Sequence, residues 1–352
     1  MIFSKTEHGG DIYDKNIRYD FSVNVNPLGT PDSVVRAVVD SAKDICNYPD
    51  PCCRELTRAI AEYEDVPDSY VMCGNGAADL IYSFCAALKP ESALELAPTF
   101  SEYSKALEGV GCNVERYTLK KEDNFNLNKD FLKHIKSNNW DAVFLCNPNN
   151  PTGCLIEPML LEEICRVCAK NNIRLFLDEC FLDLSDEVEG NSMKANLKKY
   201  SNLFILKAFT KNFGMAGLRL GYCLCSDRRL LEDMSKITQD WNVSIPAQRA
   251  GIAALGEKSF ILEAKAIIFR ERERLAGELK KLGFWVCDSK ANYILFYSHK
   301  RIDCALKDKG ILIRDCSNYH SLGKGWYRIA VRKEEENEIL LGALYEVMGD
   351  KL

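Results

Sequence analysis

Lys211 sits in Lys207-Ala208-Phe209-Thr210-Lys211-Asn212-Phe213-Gly214-Met215-Ala216-Gly217-Leu218-Arg219. A single lysine is nearly always a solvated surface group. Here its neighbours are Gly, Ala and aromatic residues, a poor composition for a surface. A lysine kept from water is a nucleophile for carbonyl carbon. Asp178-Glu179 ends an apolar run and offers a metal ligand, a base, or a partner for a cationic ring nitrogen; alone, such a carboxylate is more often a helix cap or loop ion pair. Cys146-Asn147-Pro148-Asn149-Asn150-Pro151-Thr152-Gly153 ends another apolar run and, by itself, is a turn. Gly74-Asn75-Gly76-Ala77-Ala78 leads into a helix start, where free backbone N–H groups suit a phosphate, although Gly turns are common. Together the lysine, the carboxylate and the amide suit a pyridine aldehyde cofactor. The lysine would carry it as a Schiff base, the carboxylate would keep the ring nitrogen protonated, and the amide would meet the ring oxygen.

Positioning these groups requires a sheet whose strands end on one edge. Residues 141–146, 173–178 and 202–206 are short apolar runs, and a helical pattern spans 157–170. That alternation predicts buried parallel strands in an α/β unit, with ligands beyond their carboxyl ends. Residues 221–225 form a further strand, too close to the preceding one for a helical crossover and so a candidate for antiparallel pairing. Beyond about Asp227, long helical patterns run to Gly283, a helix stop. Short strands are expected at 293–297, 311–314 and 326–331. We expect an N-terminal segment (1–40) packing with a small α+β unit (231–352), and a large cofactor unit between them (41–230).

The chain has 352 residues, of which 47% are hydrophobic, enough for a large core. The net charge is −5, with no basic arm, which argues against a nucleic-acid partner. No apolar stretch is long enough to span a membrane and no signal peptide is visible, so a cytoplasmic protein is expected. The 16 cysteines could signal zinc, an iron–sulfur cluster or disulfides. However, Cys165 and Cys168 fall in an amphipathic helix with no second pair nearby, so we expect buried thiols in a reducing cell and no metal.

Over nearly its whole length the sequence resembles the fold-type I pyridoxal 5′-phosphate (PLP) enzymes of the class I/II aminotransferase superfamily. The resemblance rests on Gly74-Asn75-Gly76, Asn149-Asn150-Pro151-Thr152-Gly153, Asp178-Glu179 and Thr210-Lys211 with Gly217-Leu218-Arg219-Leu220-Gly221, in family order and spacing. It implies a mostly parallel seven-stranded sheet flanked by helices. It also implies Lys211 as the Schiff-base lysine and proton shuttle, Asp178 at the pyridine nitrogen and Asn150 at the ring oxygen. Gly76, Ala77, Ala78 and Arg219 would hold the phosphate, and Phe100 would stack on the ring. Tyr48 would reach the phosphate of a neighbouring subunit, which implies a homodimer. Two departures stand out. Ala208 replaces a phosphate-binding Ser or Thr, for which Thr210 or a water would substitute. Phe181 replaces the tyrosine usual in histidinol-phosphate aminotransferases and cannot bond the ring oxygen.

Within the superfamily, His8-Gly9-Gly10, Phe21 to Gly29 and Ile313 to Tyr319 resemble the threonine-phosphate decarboxylases, which serve cobalamin biosynthesis. The histidinol-phosphate aminotransferases come next. Arg328 and Arg332 lie where the family keeps substrate-binding arginines, and on a strand residues four apart share a face. Arg314, His8 and Asn26 are further candidates for the substrate. The leading expectation is decarboxylation of L-threonine O-3-phosphate or a close analogue such as phosphoserine. Amino-group transfer on histidinol phosphate or a related substrate is the alternative, and a non-catalytic PLP-binding protein is a third reading.

Overall fold

The computed structural model describes residues 8–13, 16–185 and 190–349. Its largest element is a seven-stranded sheet, in the order Val71–Gly74, Gly221–Cys225, Leu203–Ala208, Arg174–Asp178, Ala142–Cys146, Ser92–Ala97 and Asn113–Thr118. Gly221–Cys225 runs antiparallel to both its neighbours, as its short connection foretold, and the remaining pairings are parallel. The three central strands are fully apolar except at their ends because helices cover both faces.

On one face, Phe144, Phe176 and Phe204 pair in register across adjacent strands and stack at 4.6 and 5.1 Å. Phe84, on helix Gly76–Leu88, closes edge-on against Phe176 at 5.0 Å. This aromatic ladder fixes the register of the middle strands. The helix predicted at 157–170 forms over Pro158–Lys170, with Glu157 capping the N–H groups of Met159 and Leu160 and Pro158 at its first position.

A second, antiparallel sheet is ordered Arg314–Asp315, Trp326–Ala330, Tyr293–Tyr297 and Trp285–Val286. Helices Lys258–Lys281 and Glu334–Met348 lie against each other beside it. The run expected at 311–314 is two short strands: Ile311–Leu312 pairs with Tyr19–Asp20, and Arg314–Asp315 with the Trp326–Ala330 strand. The N-terminal segment therefore reaches the small unit at Tyr19–Phe21. Helix Asp32–Ser41 instead packs on helix Ile245–Leu255, which also lies on Arg54–Glu64. The change of sequence pattern near residue 230 thus precedes the change of packing layer.

The two sheets meet closely behind the Asn149–Gly153 turn. Lys290 N–H donates to Gly153 O at 2.8 Å. Gly153 has φ +76°, and a Cβ there would stand 2.0 Å from Ser289 Oγ. Ser289 Oγ is itself committed to Tyr293 O at 2.6 Å and cannot swing away freely. Gly153→Ala should cost roughly 2–3 kcal/mol from strain and overlap. Thermal denaturation should show the melting temperature lowered by about 5 °C; an unchanged transition would contradict this reading of the turn.

Candidate active site

Five strands deliver their C-terminal ends to one edge of the large sheet. Gly74 leads to helix Gly76–Leu88, Ala97 to Phe100, Cys146 to Asn150, Asp178 ends its own strand, and Ala208 leads to Lys211. Lys211 occupies a one-turn helix, Phe209–Asn212, far too short to be stable alone. Asn26 clamps it: its N–H donates to Lys211 O at 2.9 Å and its side-chain amide to Asn212 O at 2.7 Å. From the other side, Asn212 Nδ2 donates to Asp183 Oδ2 at 2.6 Å. Asp183 in turn holds buried Lys207 at 3.0 Å, and Lys207 also meets Glu64 at 3.3 Å. Burial pushes the Glu64 carboxyl up, but the charges of Lys207 and Lys194 and hydrogen bonds from Tyr222 and Lys194 bring it down to about 2.

Lys211 Nζ stands 5.5 Å from the centre of the Phe181 ring. Burial, and after it the positive charge of Arg328, lower its pKa to about 8. Asp178 is buried, which pushes its carboxyl up. The Cys180 thiol, the Tyr103 O–H (2.5 Å to Oδ2), the Cys180 N–H (2.8 Å to Oδ1) and the charge of Lys211 oppose that rise. Phe100, three residues before Tyr103, meets its ring edge-on at 5.6 Å. The loops after Ala97 and Cys146 are stitched together by Thr99 Oγ1 to Asn149 Oδ1 at 2.8 Å and Asn149 Nδ2 to Pro98 O at 3.0 Å. Phe100 and Asn150 are thereby fixed on the same edge.

At the start of helix Gly76–Leu88 a cradle forms. Gly76 has φ +82°, and a Cβ there would stand 2.7 Å from a terminal nitrogen of Arg219. A Cβ on Gly221 would stand 2.7 Å from Ala77 N. The two glycines thus let the guanidinium and the first-turn N–H groups of Ala77 and Ala78 converge, and such N–H groups have no intrahelical partner. Cationic and dipolar donors converging this way suit a phosphate.

The small sheet contributes Arg328. Its NH1 donates to Asn150 Oδ1 and its NH2 to Ser22 O at 2.8 Å, and its guanidinium lies 5.5 Å from the Tyr293 ring. With its amide turned to present oxygen, Asn24 adds two contacts of 3.3 Å. Arg314, paired in register with Arg328, points at Asn318 Oδ1 at 2.8 Å and packs on Tyr319. Tyr319 O–H lies 3.4 Å from Asn150 Oδ1.

A family model, aminotransferase class I and II, matches residues 17–344. The chain belongs to that family. Threonine-phosphate decarboxylase of Salmonella typhimurium is 35% identical over 360 residues, covering 99% of this chain and 98% of the relative. The solved histidinol-phosphate aminotransferase of Clostridium acetobutylicum superposes with a TM-score of 0.87 at 29% identity, over 94% of this chain and 99% of that one. The histidinol-phosphate aminotransferase of Sinorhizobium meliloti, solved in complex with pyridoxal-5′-phosphate, shares the fold (TM-score 0.84, 21% identity, covering 95% of this chain and 92% of that one). The fold is the type I arrangement anticipated from the sequence.

For this member of the aminotransferase family, Lys211, Asp178, Asn150, Phe100, Thr210, Arg219, Gly76, Ala77 and Ala78 all lie along the one sheet edge. Two expectations need amending, those for Arg332 and Asn26. Arg332 does not share a face with Arg328: the strand ends at Ala330, and Arg332 turns to Glu336 at 3.0 Å. Asn26 is wholly buried and its side chain meets Asn212 O and the Leu28 N–H (2.9 Å), so it shapes the Lys211 turn. His8 bonds Glu102 at 2.8 Å, with its ring 5.8 Å from Phe100. Tyr48 is 78% exposed and packs on Trp241 at 4.7 Å. Tyr103 escaped the sequence reading. Its signal was the i, i+3 spacing from Phe100 into a helix start, which turns both rings to one side.

The lowered pKa of Lys211 makes a pH prediction. Neutral amine is the reactive form, so half of Lys211 is reactive near pH 8. Reductive methylation by formaldehyde, read residue by residue by mass spectrometry, should reach half its maximal rate at Lys211 near that pH. Arg328→Gln removes a repelling positive charge, so the midpoint should move to higher pH; an unmoved midpoint would detach Arg328 from the lysine.

Proposed function

We propose that this protein is a PLP-dependent decarboxylase acting on L-threonine O-3-phosphate or a close phosphorylated analogue. The observation that carries the reading is Phe181. Its apolar ring lies beneath Lys211 Nζ, where a histidinol-phosphate aminotransferase would bring a tyrosine hydroxyl to the cofactor. The full-length similarity to the Salmonella decarboxylase supports the same choice. The donors present fit the cofactor. The Gly76/Gly221 cradle suits its phosphate, Phe100 offers a ring face, Asn150 offers an amide, and Asp178 offers a buried carboxylate.

When bound, the cofactor supplies an electron-withdrawing ring that drains charge from a bond breaking at the substrate's α-carbon. Lys211 would hold the cofactor covalently until the substrate's amino group displaces it, and its freed amine would then be placed to give a proton to the α-carbon after CO2 departs. Asp178 balances a positive ring nitrogen. Arg328 holds the substrate carboxylate and so decides which bond to the α-carbon is aligned for cleavage. Arg314 and His8 are the side chains we assign to the substrate phosphate. The large unit holds the cofactor, and the chain ends bring the substrate-binding groups.

Partner supply is part of the proposal. Tyr48, exposed at 78%, would reach the cofactor phosphate of a second copy, making a homodimer. No helix among the described residues is long and apolar enough to cross a membrane. All 16 cysteines are free, which suits a reducing cytoplasm.

Incubation with PLP should produce a visible absorption band that shifts on addition of L-threonine O-3-phosphate, with CO2 released. A band that shifts without CO2, and converts to the pyridoxamine form with histidinol phosphate, would replace this reading with aminotransfer. Lys211→Ala should lose turnover by at least about 10⁴-fold. Arg328→Gln should raise KM by about tenfold or more through loss of a charged hydrogen-bond pair. Full activity in Lys211→Ala would refute the mechanism.

A further inference from the structure

Tyr103 is among the largest wholly buried side chains of the protein. Its ring packs at 5.8 Å from Phe144 and 5.9 Å from Phe176, inside the aromatic ladder. A buried hydroxyl needs a partner, and here the partner is the carboxylate Oδ2 of Asp178, at 2.5 Å. The other carboxylate oxygen takes the Cys180 N–H at 2.8 Å. No lysine or arginine forms an ion pair with Asp178 among the described residues; beside the more distant charge of Lys211, it is neutral donors that face this carboxylate, the Cys180 thiol and amide and the Tyr103 hydroxyl. The Cys180 amide is backbone and is present whatever the residue. Of the two side chains, the Cys180 thiol is a weak donor, and the Tyr103 hydroxyl, at 2.5 Å, is the strong one.

We propose that Tyr103 is a positioning residue that keeps Asp178 an anion aimed at the cofactor's ring nitrogen. This rests on the reading of Asp178 given above. Without the hydroxyl, the buried carboxylate holds its own proton more tightly and leaves the ring nitrogen less positive. Burial and the Asp178 charge hold the Tyr103 phenol well above its ordinary range, so it stays a donor throughout the working pH. Phenylalanine keeps the ring and removes only the donor, which makes Tyr103→Phe the natural test.

A ring nitrogen that carries less positive charge lets the cofactor's link to Lys211 keep its proton to higher pH. In Tyr103→Phe loaded with PLP, the pH at which the visible band titrates should rise by about half a unit or more, an effect that a purely structural tyrosine would not produce. PLP affinity, measured by titrating the cofactor-free protein, should fall about tenfold, the usual worth of a hydrogen bond to a charged group. At saturating PLP, kcat should fall while KM changes less than twofold. An unshifted titration overturns the proposal, whatever happens to the melting temperature. Asp178→Asn, run alongside, separates the two ideas. If it too leaves the titration and PLP affinity unchanged, the role of Asp178 itself is wrong. If it alone disturbs them, Asp178 stands and Tyr103 is only packing.

Discussion

Strand register is the constraint on which the site depends. Cys146 pairs with Asp178, and Asp178 with Leu206, across three parallel strands. Side chains alternate faces along a strand, so a slip of one residue would send Asp178 to the wrong side and bring Glu179 round in its place. The phenylalanine ladder guards against that slip. It joins the same three strands two residues before Asp178, in rings that stack only when the pairing is correct. Packing in the middle of the sheet therefore sets the chemistry at its edge.

The alternation also separates two sets of buried charge. Asp178 and Lys211 look toward the cofactor edge, with Arg328 above them. Glu179 accepts from Ser192 and Met193 at 2.8 and 2.9 Å, and burial lifts its carboxyl to about 7. Behind the Lys211 turn, Lys207, Asp183 and Glu64 satisfy one another. Buried ions are tolerable only when paired and hydrogen-bonded, and the rear set meets that requirement. The rear set is linked to the working one through Asn212, the residue after the lysine. The lysine turn is thus held by polar contacts, while the strands that carry it are held by apolar ones.

Much of this was legible in the sequence where regular structure governs. Apolar runs without alternation marked the parallel strands, and their ends marked Asp178, Asn150 and Lys211. The antiparallel strand at Gly221 followed from the shortness of its connection. Legibility failed where the chain leaves regular structure. Arg332 was placed beside Arg328 by extending a strand two residues past Ala330, and the backbone turns there toward Glu336. Asn26 stood as a substrate candidate through the resemblance of the Phe21 to Gly29 stretch; that it braces a turn nearly two hundred residues away is a tertiary fact. Tyr103 resembled any core aromatic until its hydroxyl was seen against a carboxylate.

Arg328 has one more consequence. Its guanidinium already holds Asn150 and the Ser22 carbonyl. An anion arriving there exchanges partners and does not simply gain them, so its binding reflects a small difference between two hydrogen-bond sets. Chloride, a sphere that cannot match the planar fork of the guanidinium at several points at once, would lose in that exchange. A cation occupied in this way is sheltered from the abundant simple ions of the cell and yields chiefly to a carboxylate of the right shape.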